Sequence, residues 1–290
     1  MPDLNELLKG QVCMVTGATS GIGEVTAREL AARGAEVIVV SRNAQKCQNT
    51  VSQIRKKTGN PAVDYMVADL SSQAQIRRLV QEFRPRFPRL DVLVNNAGAF
   101  FLRRQESEDG IEKTWALDHL NYFLLTNLLL DVLKDSAPAR IVNVASESHR
   151  RAGIPFDNLE LEEGYSGMRA YGQAKLGNIL FTYELARRLE GSGVTANAVH
   201  PGFVATDIGS DNGWLVNQVM KVVHLFGRSP EEGAETVVYL ASSPELEGVS
   251  GKYFFDKQPI ESAPVSYDRQ TAQRLWQVSV QMTGLDESQE

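Results

Sequence analysis

Val12-Cys13-Met14-Val15-Thr16-Gly17-Ala18-Thr19-Ser20-Gly21-Ile22-Gly23 is the stretch whose reading decides the fold. A short apolar run that breaks at Thr16-Gly17 reads as a strand buried on both faces, as in a parallel sheet. Helix signals follow at once: Ala27, Leu30 and Ala31 share one face, and Gly34 is the stop. Strand, glycine turn and helix make half of a βαβ unit. Backbone N–H groups at such a helix start can cradle a pyrophosphate. The glycines are separated by three residues and then by one, so the spacing is not the general GxGxxG fingerprint. The plainer reading of the turn is a tight strand-to-helix connection.

Outward from this unit the pattern repeats. Residues 36–40, 63–67, 90–94, 140–144 and 194–199 are apolar runs of strand length, and 252–255 is a last one. Helical patterns lie between them, over 44–58, from Ser71-Ser72 to Phe83, from Ile111 to Leu133, around 170–185 and from Ser229-Pro230 to Ser242. A C-terminal helix covers about 267–283. Strands alternating with helices predict an α/β fold, a single Rossmann-type doubly wound parallel sheet with helices on both faces. No repeat or low-complexity linker divides the chain, so residues 1–290 read as one dinucleotide-binding domain. Residues 149–168 read as an irregular insertion. Residues 207–228 lack a strand pattern, and Trp214, Leu215, Val216, Met220, Val223 and Leu225 make them amphipathic, as suits a substrate lid.

In such sheets the chemistry gathers at the carboxyl ends of the strands. After the second strand stands Ser41-Arg42, where an acid would hold an adenine ribose and an arginine accommodates a 2′-phosphate. The arginine predicts NADP(H) over NAD(H); otherwise it is a solvated surface residue. Asp69-Leu70 follows the third strand, and Asp69 suits either an adenine contact or the cap of the next helix. Asn95-Asn96-Ala97-Gly98 ends the fourth, where asparagines can knit strand ends together and Ala-Gly permits close backbone approach. Ser146 follows the fifth, and Pro201-Gly202-Phe203-Val204-Ala205-Thr206 follows the sixth. Tyr171 and Lys175 lie four apart on a helix and so point into the same space. An ammonium there favours the phenolate and predicts a lowered tyrosine pKa, suited to proton transfer.

Composition sets further bounds. With 42% hydrophobic residues in 290, the chain has ample material for a core. A net charge of −6 argues against a nucleic-acid partner. Two cysteines, Cys13 and Cys47, are too few for a disulfide framework and fit a reducing compartment. The first ten residues carry acids and lack a long apolar region, and no run approaches a membrane span, so the expected location is cytoplasmic. His119, His149 and His200 have no metal-ligand spacing. The apolar helix over 111–133 also suits subunit contacts in a homodimer or homotetramer.

Taken together, these motifs resemble the short-chain dehydrogenase/reductase family, over nearly the whole chain. Thr16 to Gly23 is similar to its cofactor motif, and Asn95 to Gly98 to its second motif. Ser146 stands where the family places a catalytic serine, Tyr171 to Lys175 matches YxxxK, and Pro201-Gly202 is in order. Within the family the resemblance is closest to the retinol dehydrogenase branch, on His119-Leu120 with Phe123 to Thr126, Ala186 to Leu189 and Gly248 to Phe254. It implies a nicotinamide-dependent oxidoreductase acting on a fairly apolar carbonyl or alcohol. Tyr171 is then the general acid/base, Ser146 a hydrogen-bond donor to the substrate oxygen, and Lys175 the holder of the nicotinamide ribose. Gly17, Thr19, Ser20, Gly21, Ile22, Gly23, Ser41, Arg42, Asp69, Leu70, Asn95, Asn96, Ala97, Gly98, Pro201, Gly202, Val204 and Thr206 are then cofactor-binding. One departure stands out. The family's catalytic asparagine on the long helix falls at Asp118, either as a tolerated isostere or as a partner that draws Lys175 away and leaves a nucleotide-binding scaffold with impaired catalysis.

Overall fold

A computed structural model describes residues 6–204 and 227–285. Eight strands form one sheet in the order β3-β2-β1-β4-β5-β6-β7-β8. β1 (Val12–Thr16), β2 (Glu36–Ser41), β3 (Val63–Val67), β4 (Val92–Asn95), β5 (Ala139–Val144), β6 (Val194–Val199) and β7 (Tyr253–Phe255) are parallel; β8 (Gln258–Ile260) runs antiparallel at the edge. The order reverses between β1 and β4, and in open α/β sheets a crevice opens at that point.

β1 is buried along its whole length, and its side chains alternate between two cores. Met14 joins Ile38, Leu93 and Ile141 on one face, under α3 (Gln73–Phe83), α5 (Asn121–Leu128), α7 (Gly167–Arg188) and α9 (Arg269–Thr283). Cys13 and Val15 join Val37, Val39 and Val94 on the other, under α1 (Gly21–Ala32), α2 (Ala44–Thr58) and α8 (Pro230–Ser242). The C-terminal helix α9 is anchored by Trp276, whose ring meets Phe123 edge-on at 4.9 Å and lies 5.8 Å from Phe181. Such aromatic pairs add about 0.5–1.5 kcal/mol beyond their burial.

Three expectations change. The helix over 111–133 is not continuous. It is built from α4 (Lys113–Trp115), a π-turn (Ala116–Leu120), α5 and α6 (Leu130–Asp135), with a break at Leu129. In the π-turn the Asn121 N–H reaches back to the Ala116 carbonyl, one residue further than in an α-helix. β8 has no counterpart in the sequence reading. Asp256 and Lys257, both at positive φ, turn the chain back onto β7 without the Asn-Gly pair that marks such hairpins. α9 starts at Arg269 rather than Tyr267, capped by Asp268 after a single turn of 3₁₀ helix over Pro264–Tyr267.

Candidate active site

A cleft of ≈ 2310 Å³ runs along the carboxyl ends of the strands. A single small ligand typically fills at most about 1,000 Å³, so a dinucleotide and a substrate can share it. At one end the β1 and β4 turns are packed backbone to backbone. The buried Thr16 hydroxyl accepts the N–H groups of Asn96 (2.9 Å) and Ala97 (3.0 Å), and the Asn96 amide donates to the Thr16 carbonyl at 2.8 Å. Gly17 sits at φ +65°, and a Cβ there would lie 2.8 Å from the Ala97 Cα, so only glycine fits. No side chain caps the first turn of α1. Gly21, Ile22 and Gly23 line the cleft there, and free donors at a helix start fit a pyrophosphate.

Thr19 and Ser41 share a hydroxyl contact of 3.1 Å, and Arg42, Asn43 and Lys46 line the cleft beyond them. Asp69 and Leu70 line the adjoining wall with Gln75. The Asp69 carboxylate shapes its own turn, accepting from the Ser71 N–H (2.9 Å) and hydroxyl (2.7 Å). Ser20, Ala97, Gly98, Pro201, Gly202 and Val204 also line the cleft. Asn95 does not. It is fully buried below the floor, where its amide donates to Thr126 and to Asn143, both at 2.9 Å. Asn95 is therefore corrected from a cofactor contact to a strut between β4, β5 and α5. Thr206 and most of the expected lid over 207–228 lie outside the described residues. Val204 and Arg228 form an isolated parallel bridge, and Arg228 pairs with Asp256.

At the floor, Ser146 follows the end of β5 by two residues, while α7 presents Tyr171 and Lys175 beside it; all three line the cleft. Phe100 meets Tyr171 edge-on, with ring centroids 6.0 Å apart. The Lys175 Nζ lies 5.3 Å from the centre of the Tyr171 ring and 3.1 Å from Asp118 Oδ2, and both Lys175 and Asp118 are buried. Asp118 belongs to the π-turn, and its Oδ1 accepts the Ala99 N–H at 2.8 Å. Gly98 makes room for the pair, since a Cβ there would lie 2.8 Å from Asp118 Oδ2 and 3.2 Å from Lys175 Nζ.

The electrostatics reverse one expectation. Burial pushes the Tyr171 phenol above its ordinary value; Lys175 and the Ser146 hydroxyl pull it back, while Asp118 pushes it further up. The expected lowering by Lys175 operates but is outweighed by desolvation and the nearby carboxylate. Burial alone favours a neutral Lys175, but Asp118, Tyr122 and Tyr171 hold its ammonium above the usual lysine range. Burial raises the Asp118 carboxyl against the pull of Lys175 and the Ala99 N–H.

Sequence reasoning missed several supports. Tyr122 donates to the Val144 carbonyl at 3.4 Å, and the Lys175 ammonium lies 5.4 Å from the centre of its ring. The Nδ1 of His149 donates to the Ser146 carbonyl at 2.7 Å, and its Nε2 accepts the Ala263 N–H at 3.0 Å, which ties the serine segment to the loop before α9. The only sequence signal for His149 was its place three residues after Ser146. His200 stacks on Phe255 at 4.2 Å, and burial drops its pKa to about 4. Among the described residues no group of three or more His, Cys, Asp or Glu side chains could hold a metal ion, and no helix is long and apolar enough to cross a membrane.

The family described as short chain dehydrogenase matches residues 11–213. The chain belongs to the short-chain dehydrogenase family. It is 43% identical to human retinol dehydrogenase 14 over 96% of this chain and 88% of that one. It is 42% identical to human polyprenol dehydrogenase over 95% and 86%. Among solved structures, an uncharacterised protein from Mycobacterium paratuberculosis aligns with a TM-score of 0.79 at 32% identity, over 97% of this chain and 96% of that one. Pseudomonas aeruginosa RhlG in its NADP complex aligns with a TM-score of 0.69 at 29% identity, over 87% and 96%. As a short-chain dehydrogenase, the protein is an oxidoreductase that uses a nicotinamide cofactor to interconvert carbonyl and alcohol groups of a small molecule. The uncapped α1 turn and the open cleft along β1, β2 and β4 fit that cofactor.

Proposed function

We propose that the protein is an NADP(H)-dependent oxidoreductase for a fairly apolar carbonyl or alcohol, with Tyr171 as its general acid/base. The observation that carries this reading is the meeting of Ser146, Tyr171 and charged Lys175 on one cleft floor. A bound nicotinamide supplies or accepts the hydride at the substrate carbon. In reduction the Tyr171 hydroxyl gives its proton to the substrate oxygen, and the Ser146 hydroxyl donates a hydrogen bond to it. In oxidation Tyr171 takes that proton back. Lys175 holds the nicotinamide ribose, and its charge opposes the effect of burial on the phenol.

The α1 turn from Gly17 to Gly23 would hold the pyrophosphate, and Asp69 and Leu70 the adenine. Asn96, Ala97, Gly98, Pro201, Gly202 and Val204 would hold the nicotinamide half. Arg42, with Lys46 on the same wall and no acid at the end of β2, supports a 2′-phosphate and hence NADP(H). Phe100, Leu102, Ile154, Pro155 and Met168 give the remaining cleft an apolar lining, and two relatives are dehydrogenases of retinol and polyprenol. Both support an apolar substrate. A second reading, a nucleotide-binding scaffold with impaired catalysis, is favoured by the buried Asp118–Lys175 pair, which engages the lysine.

The two readings separate in one experiment: the protein is mixed with NADPH and a panel of apolar aldehydes and ketones, and the cofactor absorbance is followed. Loss of absorbance with at least one carbonyl supports the enzyme. Tight NADPH binding without turnover on the whole panel supports the scaffold.

A further inference from the structure

Asn178 stands three residues after Lys175 on α7 and is fully buried. Its Nδ2 donates to the main-chain carbonyl of Asp118 at 2.8 Å. A carbonyl only accepts, so this contact fixes the amide and turns its Oδ1 toward His119 Nδ1, 3.3 Å away. His119 must then carry its proton on Nδ1, which leaves Nε2 as an acceptor. Ser279 of α9 lies 3.2 Å from that nitrogen and is the donor to it. The polarity of the whole chain is thereby set: Ser279 hydroxyl to His119, His119 to Asn178, Asn178 to Asp118. The His119 ring is seated on Trp115 at 4.3 Å, and Gly177 admits it, because a Cβ there would lie 2.8 Å from Nδ1. Burial drops the His119 pKa to about 4, so at neutral pH the ring holds one proton.

We propose that His119 and Ser279 are positioning residues for the active site, through which the C-terminal helix sets the placement of Lys175. Asp118 and His119 are consecutive in the π-turn, and the single Asn178 amide spans the Asp118 carbonyl and the His119 ring. The same Asp118 holds the Lys175 ammonium with its carboxylate. α7 thus grips the π-turn twice, by Lys175 and by Asn178, and α9 closes the chain from behind. Without the Ser279 hydroxyl, His119 keeps an unsatisfied buried nitrogen and loses its tie to α9. The ring can then shift away from Asn178, and the turn that carries Asp118 loses its fixed register.

This inference rests on the reading of Lys175 as the residue that serves cofactor and tyrosine, so its test has an arm that does not depend on activity. Nitrogen-15 NMR of imidazole-labelled wild-type protein is expected to show His119 as the Nδ1–H tautomer, neutral throughout the pH range in which the fold is stable. An Nε2–H tautomer would overturn the proposal, and so would a ring that titrates near the ordinary histidine value. In kinetics, Ser279→Ala should lower kcat about tenfold, the scale of a small misplacement of reacting groups, with the KM for the carbonyl substrate nearly unchanged. It should also displace the pH at which alcohol oxidation rises. The control is Thr283→Val, which removes a hydroxyl that bonds only to the α9 backbone and should lower the melting temperature without moving the pH profile. If Ser279→Ala behaves as this control does, the proposal fails. If instead Tyr171→Phe keeps full turnover, the reading of the active site fails first. Should Ser279→Ala not fold, the NMR arm decides alone.

Discussion

The Nζ of Lys175 lies 3.1 Å from Oδ2 of Asp118, with both side chains sealed from solvent. A buried pair of this kind contributes little net stability, because desolvation of two charges offsets their attraction. Its consequence is directional. It binds the lysine ammonium to the π-turn on one side while the same ammonium faces the Tyr171 ring on the other. The carboxylate also adds a negative charge near the phenol, which pushes it up.

Asp118→Asn removes that charge and leaves Lys175 free to turn toward Tyr171. The tyrosine pKa should fall, so the rise of alcohol oxidation with pH should move to lower pH and turnover should increase. Because a buried lysine then loses its carboxylate, the cofactor-free protein should lose about 3 kcal/mol of stability. A pH–rate profile of both proteins checks this: superimposable profiles, or lower activity in the variant, would refute damping by Asp118.

Tyr171→Phe removes only the transferable proton. Cofactor affinity, measured by titration of NADPH fluorescence, should stay within a few-fold of wild type, while turnover drops by at least about a hundredfold. Turnover close to that of wild type would exclude Tyr171 as the general acid/base.

Arg42→Asp should set cofactor choice. A charge-assisted contact to the 2′-phosphate becomes a repulsion, so NADPH affinity should weaken about ten- to a hundredfold more than that of NADH. Equal weakening of both cofactors would reject a phosphate contact at Arg42.

The buried histidines make stability depend on pH. His119 and His200 are pushed from 6.5 to about 4, chiefly by burial, and His149 is also lowered. The unfolded chain therefore binds more protons than the folded one between about 6.5 and 4. Their contribution is fully present above the unfolded value and is lost as pH falls toward the folded one. The melting temperature should decline steadily from about pH 6.5 to pH 4, and a flat curve across that range would contradict the burial of these rings.

Local sequence by itself determined the parallel strands of the sheet, the residues at their ends and the glycine turn, because each rests on short-range physics. Alternating buried strands and helices need no partner to be recognised, and Gly17 is required by the backbone it must approach. It also placed Tyr171 and Lys175 on one helix face, since four residues make about one turn. What it left undecided depended on distant packing. Asn95 looked like a cofactor contact until β5 and α5 claimed its amide. Asp118 could be read as an isostere or as a disruptive partner, because its effect depends on burial and on the distance to Lys175, two properties that spacing does not carry. The direction of the Tyr171 shift turned on desolvation, which only the closed core supplies. The link from Ser279 to Asp118 joins residues 161 positions apart through His119 and Asn178. No local pattern encodes it, because it exists only once α7, α9 and the π-turn are packed together.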